Sequence, residues 1–352
     1  MTRKIAVIPG DGIGPEVTRE GVKILSYLNE RSKLDFEFVT LDWGADTYLK
    51  TGVSLPKGAL DDLRANYTAV YMGAIGDPRV EDMQHARDII LGLRFGLDLF
   101  VNCRPVKLLH ESICPIKGQT PETVDFVIFR ENTEGPYAGT GGNLKKDTPD
   151  EVAMQADVST RKGVERIIRH AFEFARTTGR KSVCMSDKHN VQPNVGGLWM
   201  RVFKLVSAEY PDIEGFHMFA DALALQMVRE PHRFDVIVTN NLFGDLLTDL
   251  GAALEGGLGM AASANLNPGH LSMFEPIHGS APPFAGKDVA NPMGMILTAS
   301  MMLSELGHRE ESHMLEEAVR RAVIAGEATP DVGGRLGTRA TGDAILAHLR
   351  EL

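Results

Sequence analysis

The stretch KIAVIPGDGIGPEV, residues 4–17, decides how this chain begins to fold. An apolar strand-like run, residues 4–8, is followed by a glycine at every second position and then by a helix-like run: Gly10, Gly12 and Gly14. A Rossmann fingerprint needs its third glycine three residues after the second, and Asp11 would repel a phosphate at the helix N-terminus. The stretch therefore predicts a tight strand-to-helix turn, with Pro15 at the first helical position, and not a Rossmann dinucleotide loop.

The same alternation of strands and helices continues along the chain. Strand-like runs occur at 4–8, 35–40, 68–72, 125–129, 182–186 and 235–239. Helical patterns occur at 15–30, 57–66, 87–98, 160–178, 194–209, 221–229, 242–254, 291–306 and 311–326. This order predicts an α/β fold with a large sheet flanked by helices. The glycine-rich polar segment 138–150 predicts a protruding loop or arm.

Composition narrows the class of protein. The chain has 352 residues, of which 43% are hydrophobic and 24% charged, with a formal charge of −10. That balance is typical of a globular protein and gives no general attraction for nucleic acid or an anionic membrane. The odd count of cysteines (Cys103, Cys114 and Cys184) argues against a disulfide framework. With no apolar leader and no apolar run of about 18 residues, we expect a cytoplasmic protein.

Charged residues follow three of the predicted strands. Arg130 ends DFVIF, Lys188 follows SVCMSD, and Asp245 lies just beyond DVIVT. Because open α/β sheets bind ligands beyond the carboxyl ends of their strands, this arrangement indicates a site.

Carboxylates in NLFGDLLTDLGAAL indicate a cation site. Asp245 and Asp249 lie four residues apart, on one face of a helix. Their hard oxygen atoms suit Mg²⁺ or Mn²⁺, and Asp221 is a candidate third ligand. The alternatives are a helix N-cap at Asp221 and a solvated helix face at Asp249.

Basic and proton-transfer candidates complete the set. Arg94, Arg104 and Arg130 can each grip a carboxylate with two hydrogen bonds, although surface salt bridging is the alternative for each. Lys188 is a candidate base, and Tyr137 a candidate proton donor. An ordinary solvated lysine and a half-buried tyrosine are the alternatives.

The chain resembles the β-decarboxylating dehydrogenases, the family of isocitrate, 3-isopropylmalate, homoisocitrate and tartrate dehydrogenases, and is closest in type to the 3-isopropylmalate enzymes. The likeness covers nearly the whole length. It is carried by six motifs in the family's order: IPGDGIGPEV, LRFGLDLFVNCRPVKL, VIFRENTEGPYAG, DKHNV, FDVIVTNNLFGDLLTDLGAAL and EPIHGSAP…GKDVANP.

The resemblance implies a two-domain fold with a large mixed sheet, not a Rossmann fold. The first domain would hold the cofactor and combine both chain ends, residues 1–98 and 253–352. The second, residues 99–252, would hold substrate and metal and form the dimer interface, with an intersubunit arm near 138–155. A homodimer with shared active sites follows, in which Lys188 and Asp221 reach the partner's site.

The resemblance also implies a role for each matching residue. Lys188 would take the hydroxyl proton and Tyr137 would protonate the enolate. Arg94, Arg104 and Arg130 would hold substrate carboxylates, and Asp221, Asp245 and Asp249 would bind Mg²⁺ or Mn²⁺. The cofactor would contact Ile75, Asn190, His278, Gly279, Ser280, Ala281, Asn291 and Asp331.

Two positions decide cofactor and substrate in the family. After HGSAP, where NAD enzymes usually have Asp and NADP enzymes Lys, this chain has Pro283. Asp331 would repel a 2′-phosphate and favours NAD, whereas Arg335 and Arg339 could favour NADP. Before Arg94, the substrate-facing residues are Asp88, Ile90 and Leu91.

The apolar pair favours an apolar substituent, so the expected reaction is NAD-dependent oxidative decarboxylation of a 3-substituted malate, first 3-isopropylmalate. The alternatives are isocitrate, homoisocitrate or tartrate/malate as substrate, or a non-catalytic dicarboxylate-binding protein.

Overall fold

The computed structural model describes residues 2–352, and Met1, which the predicted first domain includes, lies outside the described residues. Ten strands form one mixed sheet and two form a separate hairpin. The strands are β1 Arg3–Gly10, β2 Phe36–Thr40, β3 Ala69–Ala74, β4 Val101–Lys107, β5 Asp125–Glu131, β6 Gly141–Leu144, β7 Val152–Gln155, β8 Ser182–Asp187, β9 Glu214–Phe219, β10 Val236–Thr239, β11 Ala262–Leu266 and β12 Ser272–Pro276. The predicted α/β fold with a large mixed sheet is confirmed.

Helices follow most of the strands. They are α1 Gly14–Ser32, α2 Ala45–Thr51, α3 Ala59–Asn66, α4 Gln84–Gly96, α5 Arg161–Thr178, α6 Pro193–Ser207, α7 Ala220–Arg229, α8 Asn241–Leu254, α9 Met293–Glu305, α10 Arg309–Ile324 and α11 Thr338–Arg350. All nine predicted helices are present within a few residues. The sequence pattern predicts Pro15 at the first position of this helix. Because α1 begins at Gly14, Pro15 occupies the second position instead.

The chain divides into two compact units. The first unit combines the described residues up to Leu99 with Arg104–Val124 and Ala252–Leu352, and the second combines Phe100–Cys103 with Asp125–Gly251. The cofactor and metal functions assigned to two domains from the sequence stay predictions.

In the first unit, the order of adjacent strands is β2-β1-β3-β12-β11. The strands β1, β2, β3 and β12 run parallel, whereas β11 and β12 are antiparallel. Helix α4 buries Ile89 and Leu93 against Ile8, Val70 and Met72 of β1 and β3. This packing sets the direction in which the opposite face of α4 points.

In the second unit, the order is β5-β10-β8-β9, all parallel. Helix α5 closes over these strands with an apolar face that includes Ile167, Ile168 and Phe172, each fully buried. Parallel order brings the carboxyl ends of all four strands to one edge. Arg130, Asp187 and Phe219 lie at or beside the last positions of their strands.

The predicted arm is a two-stranded antiparallel hairpin of β6 and β7. Its apolar side chains face outward: Leu144 is 58%, Val152 48% and Met154 56% exposed. The sequence prediction of a loop or arm is confirmed in position, and its intersubunit role stays a prediction. No helix within residues 2–352 is long and apolar enough to cross a bilayer.

Candidate functional site

The glycine turn after β1 places Asp11 inside the first unit. One carboxylate oxygen accepts the backbone N–H of Ala45 at 2.7 Å, and the other accepts the N–H of Gly76 at 2.8 Å. The imidazole of His85 also donates to Asp11, over 3.0 Å. Since both oxygens are bonded and the side chain is buried, the acid among the glycines joins three segments of the first unit rather than facing a phosphate.

Gly12 allows the turn to approach the predicted cofactor segment closely. The backbone N–H of Ile13 donates to the carbonyl of Ser280 at 2.8 Å. Gly12 has φ of +58°, and a Cβ there would overlap that same carbonyl oxygen. Only glycine fits a left-handed conformation at such a contact. The glycine-rich turn therefore supports residues 278–281 by backbone packing.

Hydrogen bonds join two pairs of the cofactor candidates, His278 with Gly279 and Asn291 with Asp331. His278 donates from Nδ1 to the carbonyl of Gly279 at 3.0 Å, while its buried Nε2 has no hydrogen-bond partner among the described residues. Burial lowers the pKa of His278, so the ring is neutral at pH 7. Asn291 donates to Asp331 at 3.0 Å. The orphaned His278 nitrogen fits a ligand that forms hydrogen bonds here.

The other cofactor candidates are less constrained. Ala281 has φ of 39° and precedes the turn that contains Pro283. Ile75, directly after β3, packs partly against the core beneath α4. Asn190 is exposed, in the loop after β8 of the second unit.

Arg94 is oriented by an acidic residue that sequence reasoning did not single out. Its Nη2 lies 2.7 Å from Oε1 of Glu275, and Asn265 donates to the same oxygen at 2.8 Å. Arg104, on β4, is buried to 6% exposure. Both arginines belong to the first unit, Arg94 on helix α4 and Arg104 on strand β4.

The substrate-facing candidates of α4 have different surroundings. Asp88 accepts a hydrogen bond from the hydroxyl of Ser54 at 2.8 Å. Ile90 packs against the core cluster beneath the helix. Leu91 is half-buried and, three residues before Arg94, shares its face. Leu91 is thus the apolar candidate placed beside the predicted carboxylate-binding arginine.

Arg130 is clamped within the second unit. Asn241 Oδ1 accepts from its Nε at 2.9 Å and from Nη2 at 2.7 Å, while Asp245 Oδ1 lies 2.5 Å from Nη1. The guanidinium lies over the ring of Tyr137, 5.1 Å from its centroid. A Cβ at Gly244 would lie 2.5 Å from Arg130 Cγ, so α8 can approach only because it has glycine there. Arg130, Tyr137 and Asp245, predicted from separate motifs, meet.

The turn that carries Tyr137 is held by two glutamates. Glu131, 1% exposed, accepts from the backbone N–H of Thr133 and of Glu134. Burial raises the pKa of Glu131 in spite of these bonds. Glu134 in turn accepts the N–H of Thr160 at 2.8 Å, at the N-terminus of α5, where a negative charge is favoured.

Lys188 and Asp221 form an ion pair in the second unit. Lys188 Nζ lies 2.7 Å from Asp221 Oδ1 and 5.7 Å from the centroid of the Phe219 ring. The hydrogen bond from Lys188 lowers the pKa of Asp221, so this carboxylate is ionised at neutral pH. The N-cap of α7 is Phe219, so the alternative N-cap role for Asp221 is wrong.

The three carboxylates expected to bind metal do not converge within one chain. Asp245 and Asp249 stand four residues apart on α8 and Asp221 stands on α7. In the part of the chain that the structure describes, the group whose ligand atoms all lie within 4.8 Å of one another is Asp187, His189 and His217. Sequence reasoning missed this group because His217 lies 30 residues away from Asp187 in the sequence.

Known proteins are similar to this chain over nearly its whole length. The model of the family described as "Isocitrate/isopropylmalate dehydrogenase" matches residues 4–345. The chain belongs to the isocitrate/isopropylmalate dehydrogenase family. It is 44% identical to the 3-isopropylmalate dehydrogenase of Thermobifida fusca, over 99% of this chain and 98% of the relative. It is 45% identical to the 3-isopropylmalate dehydrogenase of Streptomyces coelicolor, over 96% of this chain and 98% of that relative.

A solved member of this dehydrogenase family has the same fold. The crystal structure of isocitrate dehydrogenase from Methylococcus capsulatus superposes with a TM-score of 0.90 at 38% identity, covering 99% of this chain and 100% of that one. The relatives are therefore named after two different substrates, 3-isopropylmalate and isocitrate. Family membership shows a dehydrogenase, and the choice of substrate depends on this chain's own residues.

Proposed function

We propose that this dehydrogenase catalyses the metal-dependent oxidative decarboxylation of a 3-substituted malate, with 3-isopropylmalate as the first substrate and NAD as the hydride acceptor. The observation that carries the proposal is the pairing of Arg130 with Asp245 at 2.5 Å. This ion pair places a carboxylate-binding guanidinium beside a carboxylate that can bind a metal ion. It supports the proposal that both groups act on the same part of a substrate.

The residues fit the metal that this chemistry needs. Asp245 is half-exposed and Asp249 is exposed on the same helix, and both offer hard oxygen ligands. Asp221 would complete the set from the partner subunit of a homodimer. Mg²⁺ or Mn²⁺ bound there would polarise the carbonyl formed by oxidation, which favours loss of the β-carboxylate.

The remaining steps are carried out by this chain's own side chains. Arg94, Arg104 and Arg130 would bind the substrate carboxylates. The two hydrogen bonds from Arg130 to Asn241 fix the plane of its guanidinium before substrate arrives. Lys188, as the neutral amine, would accept the proton of the hydroxyl group, and ionised Asp221 would stabilise the ammonium that this transfer forms. Tyr137 would then donate its phenolic proton to the enolate carbon.

An apolar substituent is supported by Leu91, beside Arg94 on α4. Asp88 adds a negative charge to the same helix and would repel a third carboxylate, such as that of isocitrate or homoisocitrate. Malates with other apolar 3-substituents remain alternatives under the same geometry.

NAD is supported by Asp331. This carboxylate is held by Asn291 at 3.0 Å and by Thr329, and its charge disfavours a 2′-phosphate. His278 Nε2 and the segment Gly279–Ala281 would contact the adenosine part. A reducing, cytoplasmic location is consistent with three free cysteines.

A panel of substrates tests the proposal. Reduced nicotinamide is followed by absorbance with 3-isopropylmalate, isocitrate, homoisocitrate, tartrate and malate, each with NAD or NADP, and with Mn²⁺ or a chelator. The expected result is Mn²⁺-dependent reduction of NAD that is fastest with 3-isopropylmalate. Binding of a dicarboxylate without turnover in any combination would favour the non-catalytic alternative and overturn the proposal.

A further inference from the structure

Three potential metal ligands converge beside Lys188, and the predicted mechanism uses none of them. Asp187 ends β8, His189 lies two residues beyond it, and His217 lies on the neighbouring strand β9. The parallel register pairs Met185 with His217 and Asp187 with Phe219. This register brings side chains 30 residues apart to one end of the strand pair.

The hydrogen bonding of Asp187 is strongly unequal between its two oxygens. Oδ1 accepts from Nδ1 of His189 at 2.8 Å, from Nε2 of His217 at 2.9 Å and from the backbone N–H of His189 at 3.2 Å. Oδ2 is buried and has no hydrogen-bond partner among residues 2–352. A buried carboxylate oxygen without a partner carries an uncompensated desolvation cost. Asp187 itself is 2% exposed, so a cation bound at Oδ1 would offset part of this cost for the carboxylate as a whole.

The imidazole rings of His189 and His217 pack against a phenylalanine and remain partly exposed to solvent. Phe219 packs against both rings, with its centroid 4.9 Å from that of His189 and 5.0 Å from that of His217. The side chains of His189 and His217 are 29% and 17% exposed. An ion from solvent can therefore reach ring nitrogens whose positions are already restricted.

We propose that Asp187, His189 and His217 form a binding site for a late first-row divalent ion such as Zn²⁺, made of residues other than the predicted Mg²⁺ or Mn²⁺ ligands. Two imidazole nitrogens and one carboxylate oxygen, with water as the fourth ligand, are a typical Zn²⁺ set. Mg²⁺ prefers oxygen ligands only and would not compete well here.

The geometry requires a small expansion. Ligand atoms around a tetrahedral Zn²⁺ lie ~3.4 Å apart at bond lengths of about 2.0–2.1 Å, whereas the present hydrogen-bonded distances are 2.8 and 2.9 Å. On binding, each ligating nitrogen loses its proton to the other nitrogen of the same ring.

Occupation of this site would act on Lys188. Lys188 lies between two of the ligands in the sequence, so a displacement of Asp187 and His189 on metal binding would extend to the residue that pairs with Asp221 at 2.7 Å. This consequence rests on the proposed function: Zn²⁺ would inhibit the Mn²⁺-supported dehydrogenase. Metal binding itself does not depend on the activity.

Direct binding to the whole enzyme tests the site. Zn²⁺ is titrated calorimetrically into chelator-treated protein with Mg²⁺ in excess, and Co²⁺ is used for its visible absorption bands. The expected result is one Zn²⁺ per chain in the native protein, with an affinity at least ~10-fold weaker in His189→Ala and His217→Ala. His189→Asn keeps an N–H donor to Asp187 while removing the imidazole, and covers the case in which an alanine variant does not fold.

The matched control is His232→Ala, an exposed histidine of the same unit. It should bind Zn²⁺ as the native chain does. Equal Zn²⁺ affinity in the native protein and in folded His189→Asn or His217→Ala would overturn the proposed site. If the chain turns over no substrate but binds Zn²⁺ through these residues, the proposed function fails and the metal site stands.

Discussion

Asp11 accepts a hydrogen bond from the buried imidazole of His85 across 3.0 Å, and the same carboxylate also binds the backbone of Ala45 and Gly76. An acidic residue that looks misplaced within a glycine turn is thus a structural support of the first unit. The contribution of Asp11 to the free energy of unfolding can be measured.

Asp11→Asn should lower the free energy of unfolding by about 1–3 kcal/mol, because the new amide NH₂ group faces a backbone N–H donor, of Ala45 or of Gly76, whichever oxygen it replaces. Urea unfolding followed by circular dichroism measures it. Asp42→Asn, at an exposed position of the following loop, is the control and should change stability little. Equal stability of both variants would contradict the supporting role of Asp11.

Gly244→Ala should disturb Arg130 specifically. The added Cβ would lie 2.5 Å from Arg130 Cγ and 2.7 Å from its Cβ, so α8 or the arginine must move, at about 1–3 kcal/mol of stability. Because Arg130 is a predicted substrate ligand, kcat/KM should fall more than stability explains. Gly197→Ala on α6, where the new Cβ meets only the flexible end of Arg201 at 3.3 Å, is the matched control. Unchanged kcat/KM in folded Gly244→Ala would contradict the expected disturbance of Arg130.

Lys188→Met should abolish turnover, since methionine has no group to accept the hydroxyl proton. Binding of the cofactor, followed by fluorescence titration, should survive. Lys162→Met removes an exposed lysine at the start of α5 and should leave kcat unchanged. Normal rates in Lys188→Met would exclude its assignment as the base.

Glu255 should make stability depend on pH. Burial raises the pKa of Glu255 from an ordinary 4.5 to about 8, although the backbone N–H of Lys107 partly opposes the shift. The unfolded chain releases this proton near pH 4.5, whereas the folded chain keeps it until about pH 8. The stabilising contribution is therefore complete below the lower pKa and is lost as pH rises through the upper one.

Glu255→Gln should flatten that dependence, because glutamine does not titrate. The measurement is the free energy of urea unfolding at intervals across this pH range, with exposed Glu310→Gln as the control. The difference between native protein and Glu255→Gln should change by at most about 1.4 kcal/mol per pH unit. A difference that stays constant across the range would show that Glu255 ionises normally.

Local patterns in the sequence predicted most of the fold. The strand DFVIF and the helix 160–178 were recognisable because their apolar residues repeat with the period of their structure. Strand β4 was missed since Pro105 and charged residues interrupt VNCRPVK, and β9 was missed because EGFHMF has little alternation. Helix α11, whose sequence includes Gly342, was also missed.

The candidate site could be predicted where a motif carries its own chemistry, as at Lys188 and Asp245, whose roles stay predictions. It was not predictable where a side chain acquires its role from a partner distant in sequence. Glu275 orients Arg94 across 181 residues, and Asn241 orients Arg130 across 111. Nothing local to either partner shows that contact.

The close approach of Gly12 to the Ser280 carbonyl divides the loop predicted to bind the cofactor into parts that differ in their freedom to change. Residues up to Ser280 are locked against the turn, whereas Phe284, four positions later, is 55% exposed. A library designed to alter cofactor preference should therefore be randomised from Pro283 onward and leave the preceding HGS intact.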